Sequence, residues 1–272
     1  MSATVSGLVV LVGAGNMGGA MLSGWLKSGV PGSSILVIDP SPSEAMKERL
    51  AASGVRHETA APSGVEAAIL FLAVKPQVME AVLPPLKPLV GADTVVVSVA
   101  AGKTLAFLES HLGEAAMVRA MPNTPAMIGR GVTGAYANAR VGEAERANVH
   151  DLLKVSGPVE WVAAESDIDS VTALSGSGPA YVFYLVECMA EAGRKLGLPA
   201  DLAMRLARET VAGAGELLFQ SSDEASRLRQ NVTSPGGTTA AALSVLMDEK
   251  GMQPLFDAAL AAARKRAEEL GR

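Results

Sequence analysis

A single cysteine, Cys188, and three histidines among 272 residues exclude two kinds of architecture at once. One thiol cannot build an internal disulfide framework. His57, His111 and His150 are dispersed, with no HxxxH, CxxC or paired-carboxylate spacing beside them, so no metal is expected. Cys188 stands inside an apolar helical pattern, which predicts a buried thiol in a reducing compartment. Charge is scarce as well. Only 19% of residues are charged, the net charge is −5, and no block of Lys or Arg occurs, which excludes the basic stripe that a nucleic-acid backbone requires. No stretch reaches eighteen apolar residues free of charge or turn signals, and the first twelve residues lack a positively charged leader region. The chain therefore reads as soluble and cytoplasmic, with no membrane partner, and its length suits two domains better than one.

What the chain does have is an apolar run, Leu8 to Val12, that ends in Gly13-Ala14-Gly15-Asn16-Met17-Gly18, and a second run, Ile35 to Ile38, closed by Asp39. A strand, a glycine-lined turn and a helix start in this order suit a dinucleotide pyrophosphate. The unpartnered N–H groups and the dipole at a helix N-terminus attract an anion, and side chains would block its approach. Gly13 allows the tight turn, Gly15 lets the diphosphate touch backbone, and Gly18 lets the helix lie close to its strand. The acid about twenty-one residues beyond Gly18 is placed to meet a ribose.

The first 165 or so residues repeat a strand-then-helix rhythm, which predicts a parallel sheet. A helix from Ser43 to Ser53 starts on serine and stops at Gly54. Ala68 to Val74 is an apolar run of the kind buried on both faces, and Lys75-Pro76 ends it. Lys75 is either a cation held at the ligand-binding end of the sheet or a solvated charge at a strand terminus. Thr94 to Val99, Ala116 to Val118, Val132 to Tyr136 and Val159 to Val162 read as further strands. Between them, Arg119-Ala120-Met121-Pro122-Asn123-Thr124-Pro125 is a loop fixed by two prolines. It either presents Asn123 and Thr124 to a ligand or is a turn closed by its own asparagine.

Near Ser166 strand alternation gives way to helical spacing. Helices are expected from Pro179 to Leu196, Asp201 to Phe219, Thr239 to Met247 and Pro254 to Leu270. The first two carry so little polar surface that a lone bundle cannot cover itself, which predicts pairing with a second subunit. Between these helices Asn231-Val232-Thr233-Ser234-Pro235-Gly236-Gly237-Thr238-Thr239 gathers amides and hydroxyls just where a helix begins. The loop suits a small carboxylate, or it is a capped interhelical connection.

Five of these segments in order resemble the pyrroline-5-carboxylate reductase family, whose activity is the last step of proline synthesis. They are Gly13 to Gly18, Phe71-Leu72-Ala73-Val74-Lys75-Pro76-Gln77, Met121 to Pro125, Thr172-Ala173-Leu174-Ser175-Gly176-Ser177-Gly178-Pro179-Ala180-Tyr181, and Val232 to Thr239. The resemblance spans essentially the whole chain. It implies an α/β fold with an N-terminal Rossmann-like domain, residues 1–165, and an all-helical C-terminal dimerisation and substrate domain, residues 166–272. It also implies a homodimer with its active site at the subunit interface, dimers often being assembled further.

By that resemblance, Ala73, Val74, Lys75 and Pro76 line the nicotinamide together with Pro122 and Asn123. Ser234, Gly236, Gly237, Thr238 and Thr239 take the substrate carboxylate through backbone amides and serine, with the Thr239 hydroxyl near the ring nitrogen. Thr239 and Ser234 are thus the catalytic candidates, and NADPH or NADH the cofactor. Asp39 departs from relatives that prefer NADPH, which carry small polar or basic residues there. With no arginine before Arg49, the chain is expected to use NADH at least as well as NADPH, unless Ser41 and Ser43 with Lys47 or Arg49 hold the phosphate. The alternatives are another two-domain oxidoreductase acting on hydroxy or oxo acids, and a nucleotide-sensing protein without chemistry.

Overall fold

The computed structural model describes residues 7–271; the reading of the extreme N-terminus as free of a leader falls partly on residues outside this range. By contact density the chain divides into two compact units. One runs to Ser177 and takes in the chain from Ala263 onward; the other is Gly178–Ala262.

The first unit is built on one sheet of eight strands: β1 (Val9–Val12), β2 (Ile35–Ile38), β3 (Arg56–Glu58), β4 (Ile69–Leu72), β5 (Val95–Ser98), β6 (Ala116–Pro122), β7 (Thr133–Ala137) and β8 (Val159–Trp161). Their spatial order is β3-β2-β1-β4-β5-β6-β7-β8. The apolar runs behave as their composition requires. β1, β2 and β4 are buried at every position, because helices cover both faces. Side chains alternate between two cores. Val9 and Leu11 of β1 enter one, while Val10 and Val12 enter the other.

Helix α1 (Asn16–Lys27) docks on the first face through Trp25, which is fully buried. Its ring meets Phe71 edge-on at 5.2 Å, and its Nε1–H donates to the Leu152 carbonyl at 2.8 Å, tying α1 to α5 (Glu143–Leu153). Burying a side chain of this kind is worth about 1.5–3 kcal/mol. The opposite face takes α3 (Met79–Leu86) and α4 (Leu105–Leu112), through Met79, Leu83, Leu105 and Leu108. Between β2 and β3 lies α2 (Glu44–Ala52), started by Ser43, whose Oγ accepts the Met46 N–H.

One strand departs from the expected rhythm. β7 runs antiparallel to β6, while every other pair in the sheet is parallel. The connection from Asn123 to Val132 holds only a short 3₁₀ turn, Thr124–Ile128, and lacks the length for the helical crossover that a parallel neighbour demands. After α6 (Asp167–Val171) the backbone widens into a π-helical turn at Thr172–Gly176.

The second unit carries α7 (Gly178–Lys195), α8 (Ala200–Gln220), α9 (Ala225–Asn231), α10 (Thr238–Leu246) and most of α11 (Met252–Leu270). α7 and α8 are antiparallel neighbours with small residues at the contact: a Cβ on Gly193 would meet that of Ala203 at 3.3 Å. Cys188, expected buried, is exposed on α7. The reason is that apolar residues occupy more of the α7 circumference than α8 and Phe256 of α11 cover, so only Pro179 and Ala190 of α7 are buried. No helix among the described residues is long and apolar enough to cross a membrane.

Candidate active site

The strand registers bring three sequence-chosen residues of the first unit to one level. Val12 is paired with both Ile38 and Leu72. Gly13, Asp39 and Ala73 therefore all lie one step beyond the carboxyl ends of adjacent strands, at the point where strand order reverses between β1 and β4, the place where open α/β sheets take ligands. Two backbone bonds continue the ladder there, from Gly13 N–H to Ile38 at 2.9 Å and from Ala73 N–H to Val12 at 2.8 Å.

The glycines have separable reasons to be glycine. Gly13 has φ of +89°, and a Cβ there would lie 2.9 Å from the Ala73 carbonyl oxygen and the Val74 side chain. A Cβ on Gly18 would run into the Gly13 carbonyl. A Cβ on Gly15 would meet nothing within 4 Å, so its face of the turn is open, at the N-cap of α1 ahead of Asn16 and Met17. Those two begin the helix, where N–H groups lack intrahelical partners. Beside them opens a cavity of about 720 Å³ lined by Ala14, Gly15, Asn16, Asp39, Ser41, Arg49 and others. This open, donor-rich cradle fits a dinucleotide diphosphate.

Asp39 is held in place by backbone. Oδ2 accepts the Ala14 N–H at 2.7 Å and Oδ1 the Ser41 N–H at 2.9 Å, so the carboxylate ties the glycine turn to the end of β2. On the far side, Lys75 is the N-cap of a 3₁₀ turn at Pro76–Val78 and is exposed. Pro122 closes β6. The Asn123 side chain bridges two segments, accepting from Val132 N–H at 3.0 Å and approaching Ser175 Oγ of the π-helical turn at 3.4 Å. Asn123 thus fastens its own loop.

In the second unit the Val232 to Thr239 segment joins α9 to α10. Gly236 has φ of +70°, Gly237 is the N-cap of α10, and its N–H donates to the Ser234 carbonyl at 3.1 Å. A Cβ on Gly237 would lie 2.5 Å from Ser234 Oγ, so that hydroxyl rests against bare backbone. Thr233 spends its hydroxyl on the Arg229 carbonyl at 2.6 Å. The hydroxyls of Ser234, Thr238 and Thr239 have no partner among the described residues. They stand at the head of α10, where the first-turn amides lack intrahelical partners and favour an anion.

Two comparisons over nearly the full length decide the family. The chain is 40% identical to a pyrroline-5-carboxylate reductase of Pseudomonas aeruginosa over 96% of each sequence. It belongs to the pyrroline-5-carboxylate reductase family. The family model described as pyrroline-5-carboxylate reductase dimerisation matches residues 165–270, and one described as NADP oxidoreductase, coenzyme F420-dependent, matches residues 8–102. Among solved structures, a pyrroline-5-carboxylate reductase from Coxiella burnetii superposes with a TM-score of 0.91 at 35% identity, covering 98% of this chain and all of that one. A Plasmodium falciparum pyrroline carboxylate reductase with NADP bound superposes at 0.81 with 27% identity over the whole of both chains.

Sequence reasoning missed one buried polar centre of the sheet unit. Arg119 on β6 is 3% exposed. Its Nη1 contacts Glu165 Oε1 at 2.8 Å and its Nη2 lies 3.6 Å from Asp169 Oδ1, without a hydrogen-bond partner. Glu165 also accepts the Leu105 N–H at 2.8 Å, which joins β6, α4 and α6. The segment from Arg119, expected to be loop, continues β6 as far as Pro122, and the signal passed over was an arginine directly following an apolar run, with two acids four residues apart ahead of the π-helical turn.

Proposed function

We propose that this protein reduces 1-pyrroline-5-carboxylate to L-proline with NADPH or NADH, as an enzyme of proline biosynthesis. The observation that carries the reading is that one chain of this family has both an open glycine turn at the switch point of a parallel sheet and, in its helical unit, a donor-rich loop at the head of α10. When bound, the nicotinamide supplies the hydride that adds to the imine carbon. The chain supplies orientation and field. Gly13 to Gly18 and Asp39 hold the nucleotide, and Ala73 to Pro76 with Pro122 and Asn123 line the nicotinamide end. The amides and hydroxyls of Ser234, Gly236, Gly237, Thr238 and Thr239 hold the substrate carboxylate. A cyclic imine can enter with its nitrogen already protonated, so the Thr239 hydroxyl has only to orient that nitrogen, and no strong general acid is required.

In this reading residues 1–165 form the dinucleotide domain, and residues 166–272 bind substrate and pair subunits in a homodimer, which can assemble further as an oligomer of dimers. The dimerisation model and the apolar residues left exposed on α7 and α8 support the pairing. A cytoplasmic location suits the single free thiol. A five-membered ring is preferred to the six-membered piperideine because the Gly236-Gly237 turn is compact. One methylene discriminates by only about 1–3 kcal/mol. The test is NAD(P)H oxidation with pyrroline-5-carboxylate, run beside the piperideine homologue and a panel of 2- and 3-oxo acids. Turnover on an oxo acid but not on the imine would sink the reading.

A further inference from the structure

The loop between β5 and α4, Val99 to Thr104, is held by an element from the far end of the sequence. It starts at the level of the cleft. Ser98 pairs with Leu72, and the Val99 N–H donates to the Leu72 carbonyl at 3.1 Å, so Val99 lies beside Ala73. Strand order gives the direction of a dinucleotide: with its adenosine ribose at Asp39 beyond β2 and its diphosphate at the turn after β1, its other end passes over β4 toward β5. The Val99 to Thr104 loop is the next wall after Ala73 to Pro76. Two braces fix it. At its end, Thr104 Oγ1 accepts the Phe107 N–H at 3.1 Å and Glu165 Oε1 the Leu105 N–H at 2.8 Å, which anchors the start of α4. At its centre, Gly102 is buried against the last turn of α11.

That second brace is a contact of backbone on backbone. A Cβ on Gly102 would lie 2.7 Å from Leu270 Cβ and 3.1 Å from the Leu270 carbonyl carbon, and a Cβ on Gly271 would lie 3.0 Å from the Gly102 carbonyl oxygen. Gly102, with φ of +72°, has a conformational reason to be glycine. Gly271 has none, since its φ lies outside the left-handed region, and what its missing side chain provides is room for the loop. We infer that the last turn of α11 is a positioning element for hydride transfer: Leu270 and Gly271 set the height of the Gly102 loop, and the loop sets the orientation of the nicotinamide ring. The inference rests on the reading of Ala73 to Pro76 as the nicotinamide end of the cleft. Small displacements matter here, because a reacting group misplaced by about 1 Å loses on the order of a hundredfold in rate.

Gly271→Ala and Gly271→Val in the full chain test it, because each pushes on the Gly102 carbonyl by a different amount. With NADPH and pyrroline-5-carboxylate, kcat is expected to fall about threefold for the alanine variant and about tenfold or more for the valine. Affinity for adenosine 5′-monophosphate, read by calorimetry, should stay native in both. A readout without turnover is the fluorescence of bound NADPH, whose enhancement in a fixed, dry site should drop toward that of the free cofactor in the same order. A role in packing alone would lower the melting temperature and leave kcat and fluorescence native, and that result in Gly271→Val overturns the proposal; should Gly271→Val not fold, Gly271→Ala decides on the same readouts. Weakened binding of the monophosphate would overturn it too, since the push would then spread through the sheet unit. A native protein that binds NADPH without reducing the imine sinks the proposed reaction, and the fluorescence comparison still judges this brace. If the native protein binds no NADPH, the dinucleotide reading falls and this inference with it.

Discussion

Thr239 stands at the second position of α10 with a hydroxyl that nothing in the described chain engages, one residue after Thr238 and two after the N-cap Gly237. A free hydroxyl in the first turn of a helix is well placed to orient a protonated imine, and its loss should be felt in the transition state more than in the fold. Thr239→Ala is expected to lower kcat/KM for pyrroline-5-carboxylate by about 1.5–3 kcal/mol, the worth of a hydrogen bond to a charged group, with its melting temperature close to native. A variant with native kcat/KM would remove Thr239 from the mechanism. Asp39 offers the complementary test at the cofactor. A carboxylate beside a 2′-phosphate sets like charges close together, so Asp39→Ser should shift the ratio of kcat/KM values toward NADPH by about 1 kcal/mol or more. The same change removes the acceptor for the Ala14 N–H, so nucleotide affinity as a whole should drop. An unchanged ratio would mean that Asp39 is a structural tie alone.

Among the elements, α2 and the glycine turn show how local chemistry sets the cleft. Ser43 accepts the Met46 N–H at 3.3 Å, and Ser43→Ala should cost about 1 kcal/mol of stability, read by urea denaturation. In Gly18→Ala the new methyl meets the Gly13 carbonyl, so α1 must move off β1. About 1–3 kcal/mol of overpacking and a loss of nucleotide binding are expected, and native affinity for NADPH would show that the turn is not the phosphate cradle. These elements were legible because each is written in consecutive residues: an apolar run, a glycine, a capping serine. β3 was not, since Arg56, His57 and Glu58 carry no apolar signal and form a strand only because β2 offers them an edge. The reversal at β7 was hidden for a related reason, the direction of a strand depending on the length of a connection rather than on its own residues. Arg119 was passed over because its partners Glu165 and Asp169 lie over forty residues away in sequence.

On the scale of the whole molecule, the two units differ in how well each covers itself. The sheet unit buries its largest apolar side chains completely, Trp25, Phe71, Met21 and Leu36 among them. The helical unit leaves Phe183 63% exposed, Tyr184 65%, Leu217 55% and Phe219 65%, a surface that is too apolar to face water and too extensive to be scattered singly. A second copy is the occupant that the dimerisation family model points to, and a two-fold axis lets the same helices serve on both sides. Obligate interfaces of this apolar kind bury about 2,000 Å² or more, enough for the dimer to persist at micromolar concentration. Gel filtration with light scattering should therefore return at least twice the chain mass of 27.8 kDa. Because folding of the helical unit is then tied to association, the melting temperature should rise with protein concentration. A charge placed in the patch, Phe219→Glu, should lower the mass toward that of the single chain and depress turnover with pyrroline-5-carboxylate in parallel, while the sheet unit keeps its affinity for adenosine nucleotides. A native protein that elutes as a monomer with full activity would show that the helical surface serves another purpose and that the site is complete within one chain.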